Sequence, residues 1–260
     1  MKILAIHGSI RKGNTHALVK EIMERLVSKP DVTIAEISVA DLALPFCCSC
    51  HMCLMKGEEC CPDYHTMRGI ESAIMDCDAL IVSGVTYMWS LNAAMKNLMD
   101  HMAYRFHRPS LFGKKGMVVV TSTGTGEKDV AKYLKSVLDQ WGVNDATIVT
   151  QTEKEQKLMS PAQLSKRYDR AAERFYRQIL ENKALPPSTK SIAVHNAFRA
   201  MSLSAFSESE RDTAYWRLPE NNRVYPTNVG LLKSIVGALV FSASTHITKL
   251  IGVLYERRKK

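Results

Sequence analysis

The sequence predicts an α/β fold: a doubly wound, five-stranded parallel sheet in the order 2-1-3-4-5 with a helical C-terminal extension. Short runs rich in Val and Ile, each about strand length, alternate with helical patterns through residue 184. Strands alternating with helices imply a parallel sheet covered on both faces. Five such strands suit this order, whose ligand sits beyond the carboxyl ends of the strands.

The elements follow in order. Lys2–His7, Val32–Val39, Ala79–Ser83, Gly116–Thr121 and Ala146–Thr150 read as the strands. Asn14–Val27, Leu91–Ala103 and Lys128–Trp141 carry apolar residues at three- and four-residue steps and read as helices. Ser160-Pro161-Ala162-Gln163 signals a further helix start, with a cap residue, a proline at the first helical position and a glutamine three after the cap. Leu185-Pro186-Pro187-Ser188 marks a boundary between a domain over 1–184 and an extension over 185–260. In the extension, Ala193–Phe206 and Val229–Tyr255 read as helices around a polar and aromatic stretch, Asp212–Tyr225.

The chain has 260 residues, 46% hydrophobic and 23% charged, which excludes wholesale disorder. Its formal charge is +9. Residues 1–150 hold 16 basic and 16 acidic side chains, so the whole excess lies beyond them. A balanced first half argues against a nucleic-acid groove spread over the fold. The basic tail reads as an assembly element, placed to meet an acidic partner, an anionic surface or a neighbouring subunit's pyridine nucleotide. Met1–Gly8 is too short an apolar run for a signal peptide, and seven cysteines without a secretory signal suggest a reducing, cytoplasmic setting. The longest uncharged apolar stretch, Ser234 to Thr248, falls short of the roughly 20 residues a membrane span needs. No transmembrane segment is therefore expected. Peripheral membrane contact through Val229–Tyr255 and the terminal Arg257-Arg258-Lys259-Lys260 stays open beside packing on a partner subunit.

Gly8-Ser9-Ile10-Arg11-Lys12-Gly13-Asn14-Thr15 joins the first strand to the first helix. Gly8 and Gly13 let the backbone turn tightly against a ligand. Ser9, Asn14 and Thr15 supply short donors, Arg11 a planar cation, and the helix its free N–H groups, a combination suited to phosphate. Cys47, Cys50, Cys53 and Cys60 fall in a C-x2-C-x2-C-x6-C pattern. That crowding is unlike the common zinc spacing and matches ferredoxin-like runs that wrap a cubane. Iron–sulfur cluster, zinc and redox thiols all remain open at this point, and Cys48 or Cys61 could substitute as a ligand. Cys77, alone before the third strand, reads as a small buried hydrophobe. Isolated His51 and His65 receive no role.

The loop Gly8-Ser9-x-Arg11-x-Gly13-Asn14-Thr15, followed by Val85-Thr86-Tyr87-Met88-Trp89, Met95-Lys96 and Asp100, resembles the NAD(P)H-dependent FMN reductase and iron–sulfur flavoprotein group of the flavodoxin-like superfamily. The resemblance covers residues 1–184 and implies a flavodoxin-like sheet; Asp212-x-x-Tyr215-Trp216 is similar to longer clostridial-type members. It implies that Ser9, Arg11, Asn14 and Thr15, with Gly13, hold the FMN phosphate. Thr86, Tyr87, Met88 and Trp89 would run along the ribityl chain and flavin ring. Ser122, Thr123, Gly124 and Gly126 would offer backbone groups to the pyrimidine edge. The four cysteines would carry a [4Fe–4S] cluster, although Val85 stands where proline is common and Ser49 where glycine is.

The activity so implied is oxidation of NAD(P)H through FMN, with electrons passing on to a small-molecule or protein acceptor. No side chain need act as obligatory acid or base, so no catalytic residue is assigned. Arg105 and Arg108 are candidate guides for the NAD(P)H phosphates. A homodimer or homotetramer is expected. The alternative is a flavodoxin-like electron carrier without steady NAD(P)H turnover.

Overall fold

The structure, a computed structural model, describes residues 1–222, 225 and 227–258. It runs β1 (Lys2–His7), α1 (Asn14–Val27), β2 (Thr33–Ser38), α2 (Met52–Met55), a 3₁₀ turn (Glu58–Cys60), α3 (Tyr64–Asp76), β3 (Ala79–Tyr87) and β4 (Ser90–Leu91). It continues with α4 (Ala93–His101), α5 (Tyr104–His107), β5 (Lys115–Ser122), α6 (Glu127–Trp141), β6 (Asp145–Thr152), α7 (Glu153–Leu158) and α8 (Pro161–Glu181). The extension holds α9 (Thr189–Ser202), α10 (Glu210–Arg217), α11 (Pro219–Asn222) and α12 (Leu231–Arg258).

The long strands pair in parallel in the order β2-β1-β3-β5-β6, the predicted order once the two-residue β4 is set aside. Period-two alternation divides the strand side chains between two cores. Leu4, Ile6, Leu80, Val82, Val118 and Val120 meet α3, α4 and α6 on one face. Ile3, Ala5, Ala79, Ile81, Met117 and Val119 meet α1 and α8 on the other. At the start of α8 the Gln163 N–H donates to Ser160 Oγ at 3.3 Å, and the Ser160 N–H donates to Gln163 Oε1 at 2.8 Å, completing the predicted capping box.

Three of the expected elements differ, and α3 is an unexpected addition. β3 runs on to Tyr87 because β4 folds back antiparallel on it, pairing Thr86 with Leu91 and Tyr87 with Ser90. Gly84 permits this, since a Cβ there would lie 2.6 Å from Leu91 Cδ1. The helix expected over Leu91–Ala103 gives up its start to that hairpin and becomes α4, with the short α5 following beyond it. The third difference is α12. An unbroken helix carries Leu231–Tyr255, 25 residues long and apolar enough by length and composition to cross a membrane, with 11% of its most apolar window buried. Counting only the uncharged run between Lys233 and Lys249 underestimated it, because a helix accepts single lysines along its length. The expectation of no span-length segment is corrected accordingly. Of the terminal basic run, Lys259 and Lys260 lie outside the described residues.

The extension docks through His195, which is fully buried. Its Nε2 faces the Gln140 carbonyl at 2.9 Å and its Nδ1 meets the Tyr225 hydroxyl, so Nε2 carries the proton and Nδ1 accepts. Burial pushes this imidazole down to about 4. The unfolded chain therefore binds the extra proton first, and stability is lost as pH falls from the unfolded value near 6.5 towards 4. The loss amounts to about 3 kcal/mol. Urea unfolding across that window should show a smaller pH slope for His195→Gln; an unchanged slope would refute the assignment.

Candidate functional site

The loops after β1, β3 and β5 converge at the carboxyl edge of the sheet, where the glycine-rich segments were expected to meet a ligand. Gly8 lies so close to β3 that its N–H donates to the Ser83 carbonyl at 3.1 Å, and a Cβ would sit 2.3 Å from that oxygen. Asn92, buried just ahead of α4, binds two loops together. Its Nδ2 donates to the Gly8 carbonyl at 2.6 Å and its Oδ1 accepts the Val85 N–H at 3.2 Å. Thr15 and Thr121 join α1 to β5 through their hydroxyls at 2.6 Å.

Among the expected phosphate residues, Ser9 is buried and its hydroxyl donates to the Arg11 carbonyl at 2.6 Å, shaping the loop from within. The Gly13 N–H donates to the same carbonyl at 2.8 Å. Gly13 opens α1, and no side chain caps this helix or places a carboxylate in its first turn. Its N-terminal N–H groups and positive dipole end thus point at the loop, with Arg11 and Asn14 exposed beside them. Thr86 supplies a second sign of a ligand: its Oγ1 is buried without a partner among the described residues. Such an orphan is costly unless a bound group satisfies it. A flavin with a hydroxylated chain fits there.

Tyr87, Met88 and Trp89 form the tip of the β3–β4 hairpin and are 50%, 94% and 70% exposed. Met88 and Trp89 both take the left-handed conformation, φ 46° and 62°, as a two-residue turn requires. They line the rim and leave its floor to the loops. Ser122 is buried and donates to Glu127 Oε2 at 3.0 Å; Thr123 and Gly124 are exposed, and Gly126 starts α6. Glu127, unremarked in the sequence, is a buried carboxylate favoured by the N-terminal end of α6. His7 was also missed. Its Nε2 lies 2.8 Å from Glu36 and its ring 4.7 Å from His16, whose imidazole is held below its ordinary value by burial and then by His7.

The cysteine loop surrounds a cavity of about 330 Å³ lined by Cys47, Cys48, Cys50, Cys53 and Cys61 together with Asp63 and His101. Cys60, on the 3₁₀ turn, is exposed and does not line it. Ser49 and His51 adopt left-handed conformations, φ 54° and 59°, so the loop coils tightly. Asn97 of α4 fixes its entry, accepting the Cys47 N–H at 3.0 Å and donating to the Leu44 and Pro45 carbonyls at 3.2 and 2.8 Å. Burial, then the neighbouring Cys61, push the Cys53 thiol up to about 11. Cys77 is buried, its thiol donating to the Ile74 carbonyl at 3.2 Å.

Arg105 and Arg108, the candidate nucleotide guides, are drawn into contacts within the chain. Both are buried, and Arg108 is engaged by Asp212, by the Cys53 carbonyl at 2.8 Å and by Glu58 at 3.0 Å. The sequence reveals two cations but not the carboxylate 104 residues away that claims one of them. The basic tail thus meets the cysteine loop of its own chain. Asp212 of α10 grips Arg108 and accepts from His107 Nδ1 at 2.7 Å, while Ser209 Oγ donates to the Leu54 carbonyl at 2.6 Å. The extension clamps the cysteine loop from outside.

An iron-sulfur flavoprotein of Archaeoglobus fulgidus is 31% identical over 145 residues, 55% of this chain and 64% of that protein. One from Methanocaldococcus jannaschii is 33% identical over 101 residues, 38% of this chain and 51% of that protein. The chain thus spans from about half to just under two thirds of these relatives' length. Among solved structures, an apo NADH:FMN oxidoreductase superposes with a TM-score of 0.54 at 21% identity, covering 71% of this chain and 91% of that one. An azoreductase of Bacillus anthracis gives 0.52 at 13%, covering 70% and 99%. At such identities these two show the shared flavodoxin-like fold alone. The model describing NADPH-dependent FMN reductases matches residues 1–153, the stretch that contains β1 to β6 and all three converging loops, and the chain belongs to that family.

Proposed function

We propose that this flavin oxidoreductase draws electrons from NADH or NADPH and passes them, by way of a [4Fe–4S] cluster in the cysteine loop, to a small-molecule or protein acceptor. One observation carries the reading: α4 fixes both sites. Asn92 at its start secures the loops around the flavin position, and Asn97, five residues on, secures the cysteine loop. Five residues of helix advance about 7–8 Å, so the two sites are neighbours on one rigid element. The iron-sulfur flavoprotein relatives support the cluster.

Bound FMN would supply hydride acceptance and one-electron release, and the cluster one-electron transfer. The chain's own residues bind and orient. The α1 N–H groups and Arg11 would hold the phosphate, the Thr86 hydroxyl would pair with the buried edge of the ligand, and Tyr87 and Trp89 would shield its rim. The exposed hairpin tip leaves room for a nicotinamide to approach. Anaerobic purification should give a brown protein with FMN, iron and acid-labile sulfide, and stopped-flow mixing with NADH or NADPH should bleach the flavin. No bleaching with either would leave the electron-carrier reading instead. A yellow, iron-free protein would remove the cluster.

We also propose that α12 meets an anionic bilayer surface. Leu232, Ile235, Leu239, Ile247, Leu250 and Leu254 are exposed along it, and residues 185–260 carry 11 basic against 5 acidic side chains, suiting anionic headgroups. The full chain should cosediment with vesicles containing phosphatidylserine, and Leu239→Glu/Ile247→Glu/Leu250→Glu should not. Equal recovery of both would refute the bilayer contact, and an assembly mass that falls only in the variant would assign this face to a second copy.

A further inference from the structure

We propose that the fourth cluster ligand is Cys61 and not Cys60, so that the ligand set is Cys47, Cys50, Cys53 and Cys61, with Cys48 and Cys60 left as free thiols. The inference rests on the cluster reading above. Spacing alone admits either residue; direction and surroundings separate them.

Cys60 ends the 3₁₀ turn, where its N–H donates to the Gly57 carbonyl at 3.0 Å, and its side chain is exposed. One residue later the backbone becomes extended, φ −66° and ψ 134° at Cys61. Across that change the two side chains part, Cys60 towards solvent and Cys61 towards the cavity. Cys61 is half-buried and lines the cavity; Cys60 does neither.

Five thiols line the cavity; Cys47, Cys50 and Cys53 keep the three-residue step of a ferredoxin-like run, Cys48 falls outside that step, and Cys61 adds the fourth donor a cubane requires. The neighbourhood around Cys61 is prepared as well. Its sulfur, a carboxylate oxygen of Asp63 and a ring nitrogen of His101 lie within 4.8 Å of one another. His101 is held by the Asn97 carbonyl at 3.0 Å and by Asp63 at 3.2 Å, so these polar groups are tied to the α4 residue that fixes Cys47. Such partners orient a ligand and tune its sulfur.

The test compares wild type with Cys48→Ser, Cys60→Ser and Cys61→Ser as full chains, purified anaerobically and loaded with ferrous iron and sulfide. Cys48→Ser and Cys60→Ser should keep four irons per FMN and the broad absorption near 400 nm. Cys61→Ser should lose at least one iron in four and most of that absorption, with its FMN content unchanged. Loss in Cys60→Ser with retention in Cys61→Ser would overturn the assignment. If Cys61→Ser does not fold, alkylation of intact wild type decides: Cys60 should react with iodoacetamide while Cys61 is protected only in loaded protein, and the reverse pattern would overturn it. Binding of zinc but no iron, through Cys61, Asp63 and His101, also overturns it. Failure of wild type to take any iron would count against the cluster reading itself.

Discussion

Replacing Asp212 with alanine is expected to destabilise the protein by about 3 kcal/mol, the lower end for breaking a buried ion pair, and to loosen the cysteine loop. Arg108 is 5% and Asp212 2% exposed, so the guanidinium would lose its carboxylate without gaining water. Glu58, 3.0 Å away, remains as a partial partner and holds the cost down. The loss spreads because one guanidinium also carries the Cys53 carbonyl, and His107, stacked on Phe198 at 4.0 Å between ring centroids, shares the same aspartate. Urea unfolding and iron content of the full chain would report both effects. Asp212→Ala with Arg108→Met should recover part of the stability, since it leaves no unpaired charge. An Asp212→Ala protein with wild-type stability and iron content would mean that the extension merely rests against the loop.

The second large effect is expected at Gly8. A methyl group there meets the Ser83 carbonyl at 2.3 Å and Met95 at 3.0 Å. The first obstacle is backbone of a central strand, which has no freedom to give way, so the loop after β1 must move instead. That motion displaces Ser9 and Gly13 and opens the hydrogen bond from Asn92. Gly8→Ala should therefore bind FMN roughly 100-fold more weakly, about 2.7 kcal/mol. Fluorescence titration of the apoprotein would measure this. Gly69→Ala, in α3 with nothing within 4 Å of the added methyl, should leave FMN affinity unchanged. Equal affinities for the two variants would detach the loop from the flavin.

What the sequence makes legible here is local. The Val- and Ile-rich strands, the periodic helices and the Ser160 capping box are each decided by neighbours within a few residues, and each appears where expected apart from the β3–β4 hairpin and the start of α4. The glycine-rich loop after β1 is legible for the same reason, because α1 and the residues preceding it carry the whole signal. Asn92 and Asn97 are not. Their partners lie 84 and 50 residues away, and nothing in an asparagine's immediate surroundings announces which loop it will tie. α3 escaped because the cysteines before it drew the segment into one long connection, although Met67, Ile70 and Ile74 form its buried face. Ser49 is instructive in another way. It stands where glycine is common in the family it resembles, and its φ of 54° is the conformation glycine adopts at least cost.

The clamp by Asp212 also orders events in time. Asp212 leaves the ribosome roughly 150 residues after Cys61, so every thiol of the loop is made long before α10 can close over it. A nascent chain therefore presents an unlatched loop, open to loading of the proposed cluster, and completion of the chain shuts it. A chain cut short ahead of α10 would retain every cysteine and every residue of the three converging loops, yet lack the carboxylate that pins Arg108 against the cysteine loop.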